Sequence, residues 1–384
     1  MPSVTVLGAS ASTVTVPFTT SQNIALAQQV ANAISIANQS GADLASQDTT
    51  PPLPQGKFGE FVKTQPGMNV LPAGYRDVVN NASNAIIFGS GDSGERILSG
   101  TGNLSFFASA GSGTVVSGGG NNTINIKATD TGSWDIAADV GHNQIVDFGI
   151  GGDSIQAGAG NNLVELGGGN YTVSSIGNDT VVASNGAETV GVSGAFSDVV
   201  LGGSSRLDFV NGTGASTVLG QSGSDTVLAG AGGGLFRGGS AGANSLVGGL
   251  GAATLYAGGN NDTLVATSPG QALHAGAGTA TLDGSASSGA DTFFGGSGNA
   301  TINWSAGSDV IAFINGSAGG TDVVGGGLTN AAQVTINLQG YGPNEAANAV
   351  AGQMPGANSV TIKLSDNTTV TFTGITHLTS SNFS

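Results

Sequence analysis

The sequence predicts an all-β fold, a parallel β-roll or β-solenoid of about 12 two-strand coils, with a small mixed N-terminal cap and a β-rich C-terminal cap. Three observations lead to this prediction. Glycine supplies 68 of the 384 residues without the G-X-Y period of collagen, more than twice its usual share of roughly 7%. Hydrophobic residues make up 39% of the chain, which provides enough apolar surface for folding. The third observation is a nine-residue repeat.

The repeat is defined by one apolar residue, here called the rung, that recurs along the middle of the chain. It is visible in segments such as GIGGDSIQA (149–157) and GGNNDTLVA (258–266). There are 24 rungs, and 17 of the 23 spacings between them are nine residues. The rungs are Ile97, Phe106, Val115, Ile124, Ile136, Ile145, Ile155, Val164, Val173, Val181, Val190, Val200, Phe209, Val218, Val227, Phe236, Leu246, Leu255, Leu264, Leu273, Leu282, Phe293, Ile302 and Ile311.

Glycine marks the position four residues before the rung, where it occurs in 19 of the 24 repeats. We interpret this column as the corner of a tight turn, where the backbone takes a positive φ that glycine adopts without steric cost. Each repeat is then a turn and a short strand, too small to enclose a core, so the repeats must stack. Two repeats form one coil, whose strands lie on opposed sheets with the rungs between them.

The N-terminal residues 1–96 depart from the repeat and predict a capping region. Alternating apolar residues over 3–8 and 13–18 predict two strands. A helix is expected to follow and to end near Asn38. A proline-containing linker over residues 41–56 then leads to short strands before the first coil.

The solenoid is predicted over residues 97–312 and a C-terminal β cap over residues 313–384. Within the cap, alternating residues predict strands over 333–338, 359–365 and 368–373. The last two are expected to pair as a hairpin.

Several repeats resemble the nonapeptides of the RTX (repeats-in-toxin) family. The resemblance is carried by GIGGDSIQA (149–157), QSGSDTVLA (221–229) and GGNNDTLVA (258–266), and it extends roughly over residues 89–312. Proteins of that family form a parallel β-roll that binds Ca²⁺ in its turns. Their ligands are backbone carbonyls and the Asp two residues before the rung. The resemblance therefore implies Ca²⁺ as a cofactor of this chain.

The position two residues before the rung is acidic in nine repeats and holds the candidate metal ligands. Tight Ca²⁺ sites need several oxygens with paired carboxylates, and side chains on the same side of the roll are two rungs apart. Alternatively, these side chains only cap the turns by accepting hydrogen bonds from nearby backbone amides. The candidates are the pairs Asp179 with Asp198 and Asp291 with Asp309, followed by the isolated Asp153, Asp225 and Asp262.

The residues on either side of the rung are expected to face outward. The residue before it is Thr in 12 repeats, as suits a solvent-facing strand, and such arrays on flat solenoids can also order water at ice. The residue after it is large and apolar in 13 repeats. These side chains either form an exposed stripe for lateral assembly or turn inward and widen the core. Examples are Val116, Leu201, Leu219, Leu228, Val247, Tyr256, Val265 and Phe294.

Composition excludes several classes of protein. Without Cys, the chain has no disulfide and no thiolate metal site. Eight Lys and Arg against 24 Asp and Glu give a net charge of -16, which disfavours nucleic-acid binding. No run of 18 apolar residues is present, so we expect no membrane span.

The termini indicate how the protein would be exported. The first ten residues lack the basic and long apolar segments of a cleaved signal peptide. The uncharged, hydroxyl-rich end ITHLTSSNFS resembles the C-terminal targeting region of bacterial type I secreted proteins. We therefore expect an extracellular or cell-surface location, reached without an N-terminal signal peptide.

The expected function is structural. A G-x-S-x-G pattern at 238–242 falls in a turn rather than between a strand and a helix, so we expect no enzyme. The protein is predicted to be a secreted building block of an extracellular matrix, surface layer or adhesin that self-associates into filaments or sheets. A cell-surface polysaccharide is a second candidate partner. A monomeric calcium- or ice-interacting module is the alternative, and a polysaccharide-modifying enzyme is less favoured.

Overall fold

The computed structural model describes residues 1–7, 13–19, 21, 23–305 and 307–384. Position 8, within the first predicted strand segment, lies outside the described residues. The chain divides into two compact units, Met1–Val192 and Ser193–Ser384. Each unit consists mainly of parallel strands stacked in coils. The predicted fold class, an all-β parallel solenoid, is confirmed.

The N-terminal unit contains a hairpin, a helix and two opposed parallel sheets. Its elements are β1 (Ser3–Leu7), β2 (Thr13–Pro17), α1 (Ile24–Gln39), β3 (Asp43–Gln47), β4 (Phe58–Lys63), β5 (Gly67–Val70), β6 (Tyr75–Asn80), β7 (Asn84–Phe88), β8 (Ser93–Ser99), β9 (Asn103–Phe107), β10 (Ser112–Ser117), β11 (Thr123–Ile126), β12 (Trp134–Ala138), β13 (Gln144–Asp147), β14 (Gly152–Ala157), β15 (Leu163–Leu166), β16 (Asn170–Ser175), β17 (Thr180–Val182) and β18 (Glu188–Val192). Strands β1 and β2 pair as an antiparallel hairpin. Strand β3 and the even-numbered strands β4 to β18 form sheet N1, and the odd-numbered strands β5 to β17 form sheet N2.

The C-terminal unit repeats this arrangement and adds a short helix. Its elements are β19 (Val199–Leu201), β20 (Leu207–Val210), β21 (Ser216–Leu219), β22 (Thr226–Leu228), β23 (Gly234–Arg237), β24 (Ser245–Val247), β25 (Ala253–Tyr256), β26 (Asp262–Val265), β27 (Ala272–His274), β28 (Thr279–Asp283), β29 (Thr292–Phe294), β30 (Asn299–Trp304), β31 (Val310–Ile314), β32 (Thr321–Gly326), β33 (Thr335–Gln339), α2 (Glu345–Ala351), β34 (Met354–Pro355), β35 (Ser359–Lys363) and β36 (Thr369–Thr373). The even-numbered strands β20 to β32 form sheet C1, which continues through β36, β35 and β34. The odd-numbered strands β19 to β33 form sheet C2. Single 3-10 turns lie at Ala331–Gln333 and Ser380–Asn382.

The rungs form the core, as predicted. All 24 have at most 1% of their surface exposed. Each rung pairs with the rung of the next strand in its sheet, for example Val115 with Ile97 in N1 and Leu255 with Phe236 in C2. This in-register pairing leaves the rungs in straight columns between the opposed sheets.

The structure has about 15 turns, so the predicted number of twelve is too low. Parallel pairing already begins where β3 pairs with β4, and thus includes part of the predicted linker. The nine-residue pattern does not reveal these first coils, because the pairing of β4 with β6 is irregular. Its register shifts between Gly59 and Glu60. The inward position of β5 is also polar, since Asn69 aligns with the buried Ile87.

Close stacking of the turns explains the glycine column. Positive φ, the reason given by the sequence, applies to Gly111 (φ 97°) but not to Gly132 or Gly186. At Gly186 an added Cβ would lie 1.6 Å from the carbonyl oxygen of Gly169. At Gly132 it would lie 1.5 Å from the carbonyl oxygen of Gly111. Glycine is required because the turn one coil away occupies the space of a side chain.

The N-terminal hairpin and helix cover the outer face of sheet N1. Asn23 precedes α1 and donates a hydrogen bond from Nδ2 to the carbonyl oxygen of Ala138 (2.8 Å). The buried residues of α1 follow the spacing of an amphipathic helix. The resulting second core contains Val4, Val6, Val16, Phe18, Ala27, Val30, Ala31, Ile34, Val62, Val79, Leu98, Val116 and Ala137.

The C-terminal unit closes its own sheet ends. Sheet C1 ends in the predicted hairpin of β35 and β36, which is antiparallel, as confirmed by the pairing of Lys363 with Thr369. Its outermost strand, β34, has two residues and contains Pro355, and proline cannot donate to a further strand. On sheet C2, Phe383 forms a β-bridge with Ile336 of β33. The chain itself therefore blocks further strand pairing at β34 of C1 and at β33 of C2.

Replacing a stacked turn glycine should destabilise the solenoid. We expect Gly186→Ala to lower the free energy of unfolding by about 1–3 kcal/mol, the usual cost of overpacking, because the Cβ would collide with a backbone carbonyl. Gly191→Ala is the matched control, since a Cβ there meets no atom within 4 Å. Urea unfolding followed by circular dichroism measures both variants. Equal stability of the two would contradict the stacking explanation.

Candidate functional site

The candidate metal ligands lie inside the coils at the junction of turn and strand. All seven Asp side chains are at most 3% exposed. They belong to columns of polar residues, each two positions before a rung. These columns are the candidate functional site, and their hydrogen bonds decide what they can bind.

Six of the seven Asp side chains are seen to accept a hydrogen bond from a backbone amide of the preceding coil in the same sheet. In sheet C1, Asp262 Oδ1 accepts from the backbone N of Asn244 (2.8 Å) and Asp225 Oδ1 from that of Leu207 (3.2 Å). In N1, Asp153 Oδ1 accepts from the backbone N of Trp134 (2.6 Å). Capping therefore links one coil to the next, in contrast to the purely local capping considered from the sequence.

Asparagine performs the same role at equivalent positions. Asn143 Oδ1 accepts from the backbone N of Asn122 (3.1 Å), and Asn162 Oδ1 accepts from that of Asn143 (3.0 Å). Asp179 continues this column and accepts from the backbone N of Asn162 (2.8 Å). Because a neutral amide oxygen caps these amides, the negative charge of Asp is not needed for capping.

The structure brings Asp291 and Asp309, one of the predicted pairs, together. Asp291 and Asp309 lie in successive coils of C2, and the backbone N of Asp291 donates to Asp309 Oδ1 (2.9 Å). Asp179 and Asp198 belong to different units. In C1, Asn244 separates Asp225 from Asp262. The three form one chain of hydrogen bonds, in which the backbone N of Asp225 donates to Asn244 Oδ1 (2.9 Å).

Two buried acidic residues near Asp153 were missed from the sequence. Asp147 and Asp130 are at most 1% exposed and do not lie two residues before a rung. Trp134 Nε1 donates to Asp130 Oδ2 (3.1 Å), and the backbone N of Gly149 donates to Asp147 Oδ1 (3.1 Å). Burial, followed by the charge of Asp153, raises the pKa of Asp147 to about 8. This rise in pKa favours the protonated form of Asp147 beside the Asp153 carboxyl.

Asp322 is a further column member that the sequence analysis missed. It lies two residues before Val324, which pairs with the last C1 rung, Ile302. Its Oδ1 accepts from the backbone N of Ala300 (2.8 Å). Burial raises the pKa of Asp322 to about 7. Continuing the search for polar residues two before an apolar strand residue beyond residue 312 would have found it.

The donors around most of these carboxylates are unsuited to a cation. Asp262 Oδ1 also accepts from Asn244 Nδ2 (2.7 Å), while its Oδ2 accepts from the backbone N atoms of Gly258 (2.8 Å) and Gly259 (2.9 Å). N–H groups carry positive partial charge, and Ca²⁺ requires a cage of oxygens. Among the described residues, no group of three or more His, Asp or Glu side chains is arranged to hold a metal ion.

Two predicted ligands retain an oxygen that could take part in a cation site. Oδ2 of Asp291 and Oδ2 of Asp153 are buried and have no hydrogen-bond partner within the described part of the chain. Burial raises the pKa of both carboxyls. Such an oxygen is stabilised by a proton, a cation or a neighbouring hydroxyl or carboxyl group, and the side chains of Asp147 and Ser287 act on Asp153 and Asp291 respectively. Asp291, with Asp309 in the next coil, therefore fits Ca²⁺ better than Asp225 or Asp262.

The outward apolar residues divide into covered and exposed sets. Val116 on N1 is completely buried beneath the N-terminal hairpin and helix. Leu228 on C1 is 47% exposed. Leu219 and Tyr256 on C2 are partly exposed. These side chains lie on outer faces and do not widen the core between the sheets.

The outer face of C2 also carries a stack of rings. His274 lies between Tyr256 and Phe294, with ring centroids 4.1 Å and 4.0 Å away and planes tilted by 16° and 4°. Partial burial lowers the pKa of His274 to about 4, so the ring is neutral at physiological pH.

Comparison with known proteins provides no relative, because no protein-family model, curated protein or solved structure matches the chain. Among the described residues, no helix is long and apolar enough to cross a lipid bilayer.

The raised pKa values predict that acid stabilises the folded protein. A carboxyl with a raised pKa binds protons more tightly in the folded than in the unfolded state, so folding is favoured as pH falls through that pKa. The groups involved include Glu95 (about 7), Asp147 (about 8) and Asp322 (about 7). In EGTA, we expect a higher thermal midpoint at pH 5.5 than at pH 8.0.

Asp322→Asn isolates the contribution of one group. Asn retains an oxygen that can accept a hydrogen bond from the backbone N of Ala300. The thermal midpoint of the variant should therefore be higher than that of the wild type at pH 8.0 and equal to it at pH 5.5. Asp208→Asn, which removes a charge from an exposed ion pair with Arg206, is the control for net charge. If Asp322→Asn and the wild type had the same thermal midpoint at pH 8.0, Asp322 would not be a source of the pH dependence.

Proposed function

We propose that this protein is a secreted structural protein of the RTX-like β-roll type that assembles laterally with copies of itself. The proposal rests on the exposed apolar side chains on the outer faces of the C-terminal unit. Leu228 and Val210 on C1 are 47% and 48% exposed, and Val199 and Leu235 on C2 are 41% and 37% exposed. Contiguous exposed apolar patches commonly mark interaction surfaces.

The blocked strand ends of the C-terminal unit support lateral rather than end-to-end assembly. An open parallel sheet edge would invite another chain to pair with it. Here Pro355 ends C1, and Phe383 bridges to the last strand of C2. The outer faces are the more suitable surfaces, because their side chains need no backbone partner.

Extracellular location, export through the C-terminal region and a role in a matrix, surface layer or adhesin belong to the same proposal. They are supported by the nine-residue register and by the hydroxyl-rich C-terminal residues. A cell-surface polysaccharide is the second partner proposed. Catalysis is not part of the proposed function.

Calcium is proposed to bind at Asp291 and Asp309, because Asp291 Oδ2 has no hydrogen-bond partner in the described residues and the backbone N of Asp291 contacts the Asp309 carboxylate of the next coil. When bound, the ion would neutralise these buried carboxylates and tie two turns together. Asp153 is the second candidate for the same reason. Asp225, Asp262, Asp179 and Asp198 also remain calcium proposals, but the described amide donors on the first three favour capping.

A monomeric ice-interacting module is the second candidate function, favoured by one feature of C1. Thr263, Thr281 and Thr301 align on adjacent strands. Thr279, Thr281, Thr301 and Thr321 line a shallow groove of about 420 Å³. Such an array of hydroxyl groups could order water.

Assembly should be visible directly. We expect concentration-dependent filaments or sheets of the purified full chain by negative-stain microscopy, with more assembly in high salt because salt screens repulsion between copies of net charge -16. A monomer at high concentration that shapes ice crystals would support the second candidate instead. A monomer that does neither would remove both proposals.

Calcium should stabilise the wild type more than Asp291→Asn. A ligand that binds only the folded state raises stability by about 4 kcal/mol at 1,000 times its Kd, so the thermal midpoint should rise between EGTA and millimolar CaCl₂. Asp291→Asn keeps an oxygen for the backbone N of Gln271 but loses the charge, and its midpoint should shift less. Asp208→Asn should respond like the wild type. If the thermal midpoint of the wild type were the same in EGTA and in CaCl₂, all the candidate Asp residues would be interpreted as caps of backbone amides.

A further inference from the structure

The outer face of sheet C2 differs from the other faces in both shape and charge. One row follows the rungs and includes Leu219, Arg237, Tyr256, His274 and Phe294, each paired in register with the next. All five side chains are at least partly exposed. The parallel row that precedes the rungs alternates apolar and small polar residues, such as Leu235 and Thr254. Arg237 is the only charged residue in these two rows from β21 to β29.

The ring stack forms a ridge and does not form a sugar platform. Both faces of the His274 ring are occupied by Tyr256 and Phe294 at 4.1 Å and 4.0 Å. The His274 ring can therefore present only its edge to solvent. A sugar ring stacks on an open aromatic face, whereas a ridge of edges fits between the side-chain rows of another β-sheet, as in sheet-on-sheet packing.

The N-terminal unit shows how this chain buries a comparable row. On N1, Leu98 and Val116 occupy the position after the rung and are completely buried under apolar side chains of α1 and the hairpin. In the C-terminal unit the added helix packs elsewhere, because α2 contacts β35 and the last 3-10 turn. The C2 row remains partly exposed in the described part of the chain.

Charge favours a second copy of this chain as the partner. The protein has a net charge of -16, so copies repel each other over most of their surface. The C2 face has no acidic residue in the rows from β21 to β29, so two such faces approach without carboxylate repulsion. Arg237 lies in the same row as the rings, and a guanidinium can stack on an aromatic ring of the opposite copy.

We propose that the outer face of C2 is a homotypic docking surface on which a second copy packs its own C2 face, sheet against sheet. The contact is isologous, so the same residues meet from both sides and two copies form a closed pair, which is the first step of the proposed assembly. This inference rests on the proposed self-association and assigns it to one face. The ridge of Tyr256, His274 and Phe294 is its centre, and the uncharged rows around it form the contact area.

Single cysteines can locate the interface because the chain has no Cys of its own. Thr254→Cys places a thiol on the C2 face beside the ridge. Thr263→Cys places one on the outer face of C1, at the same position before the next rung along the chain. With a short bismaleimide at a concentration where the wild type associates, Thr254→Cys should give a cross-linked dimer and Thr263→Cys should stay monomeric. The reverse pattern would overturn the assignment.

Charge substitutions provide an independent measurement. In sedimentation velocity, Tyr256→Glu should weaken self-association at least tenfold, because it buries an unpaired carboxylate in the contact. Val265→Glu is the matched control, at the same position after a rung but on C1, and it should associate like the wild type. Thermal midpoints of both variants verify that folding is intact.

The outcomes separate this inference from the proposed function. If the wild type assembles but Thr254→Cys does not cross-link and Tyr256→Glu has no effect, the C2 assignment is wrong while self-association stands. If the wild type stays monomeric at every concentration, both are wrong. A monomer whose binding to an insoluble polysaccharide is lost in Tyr256→Glu would assign the face to carbohydrate and overturn the homotypic contact.

Discussion

In-register stacking of the coils is the constraint on which this structure depends. Neighbouring strands lie about 4.8 Å apart, so each turn lies directly against the turn of the adjacent coil. The carbonyl oxygen of Gly169 occupies the place where Gly186 would carry a side chain. Glycine corners, columns of rungs and columns of polar residues all follow, because every residue has its equivalent directly beside it.

The polar columns arise from the same constraint. Each coil leaves backbone amides inside its corner, and buried amides need acceptors. Asn and Asp both supply an oxygen, as Asn162 and Asp262 show. The residue type that suggests calcium in the sequence is therefore also the type that caps amides. The donors around each carboxylate distinguish the two roles: Asp262 accepts four N–H groups, whereas Asp291 has an oxygen without a partner in the described residues.

The outer faces show how one sequence pattern acquires two structural roles. An apolar residue after the rung is buried at Leu98 and exposed at Leu228. The local strand is alike in both places, and the difference is whether another element of the chain lies on the face. Where α1 and the hairpin cover N1, the row forms a second core. On C1 and C2 the same kind of row remains at least partly exposed.

The sequence alone determined the coil, because its period is local: a rung every nine residues and a glycine four residues before it specify strand, turn and the inward side. All rungs from Ile97 to Ile311 are buried as a result. Only the tertiary structure decided the rest. The first coils were missed because Asn69 occupies an inward position and a register shift interrupts β4. Val116 is buried by side chains of the N-terminal hairpin and α1, which lie roughly a hundred positions earlier in the chain. The environment of each Asp depends on amides of other coils. Such contacts join residues far apart in the chain, and a repeat of nine residues carries no information about them.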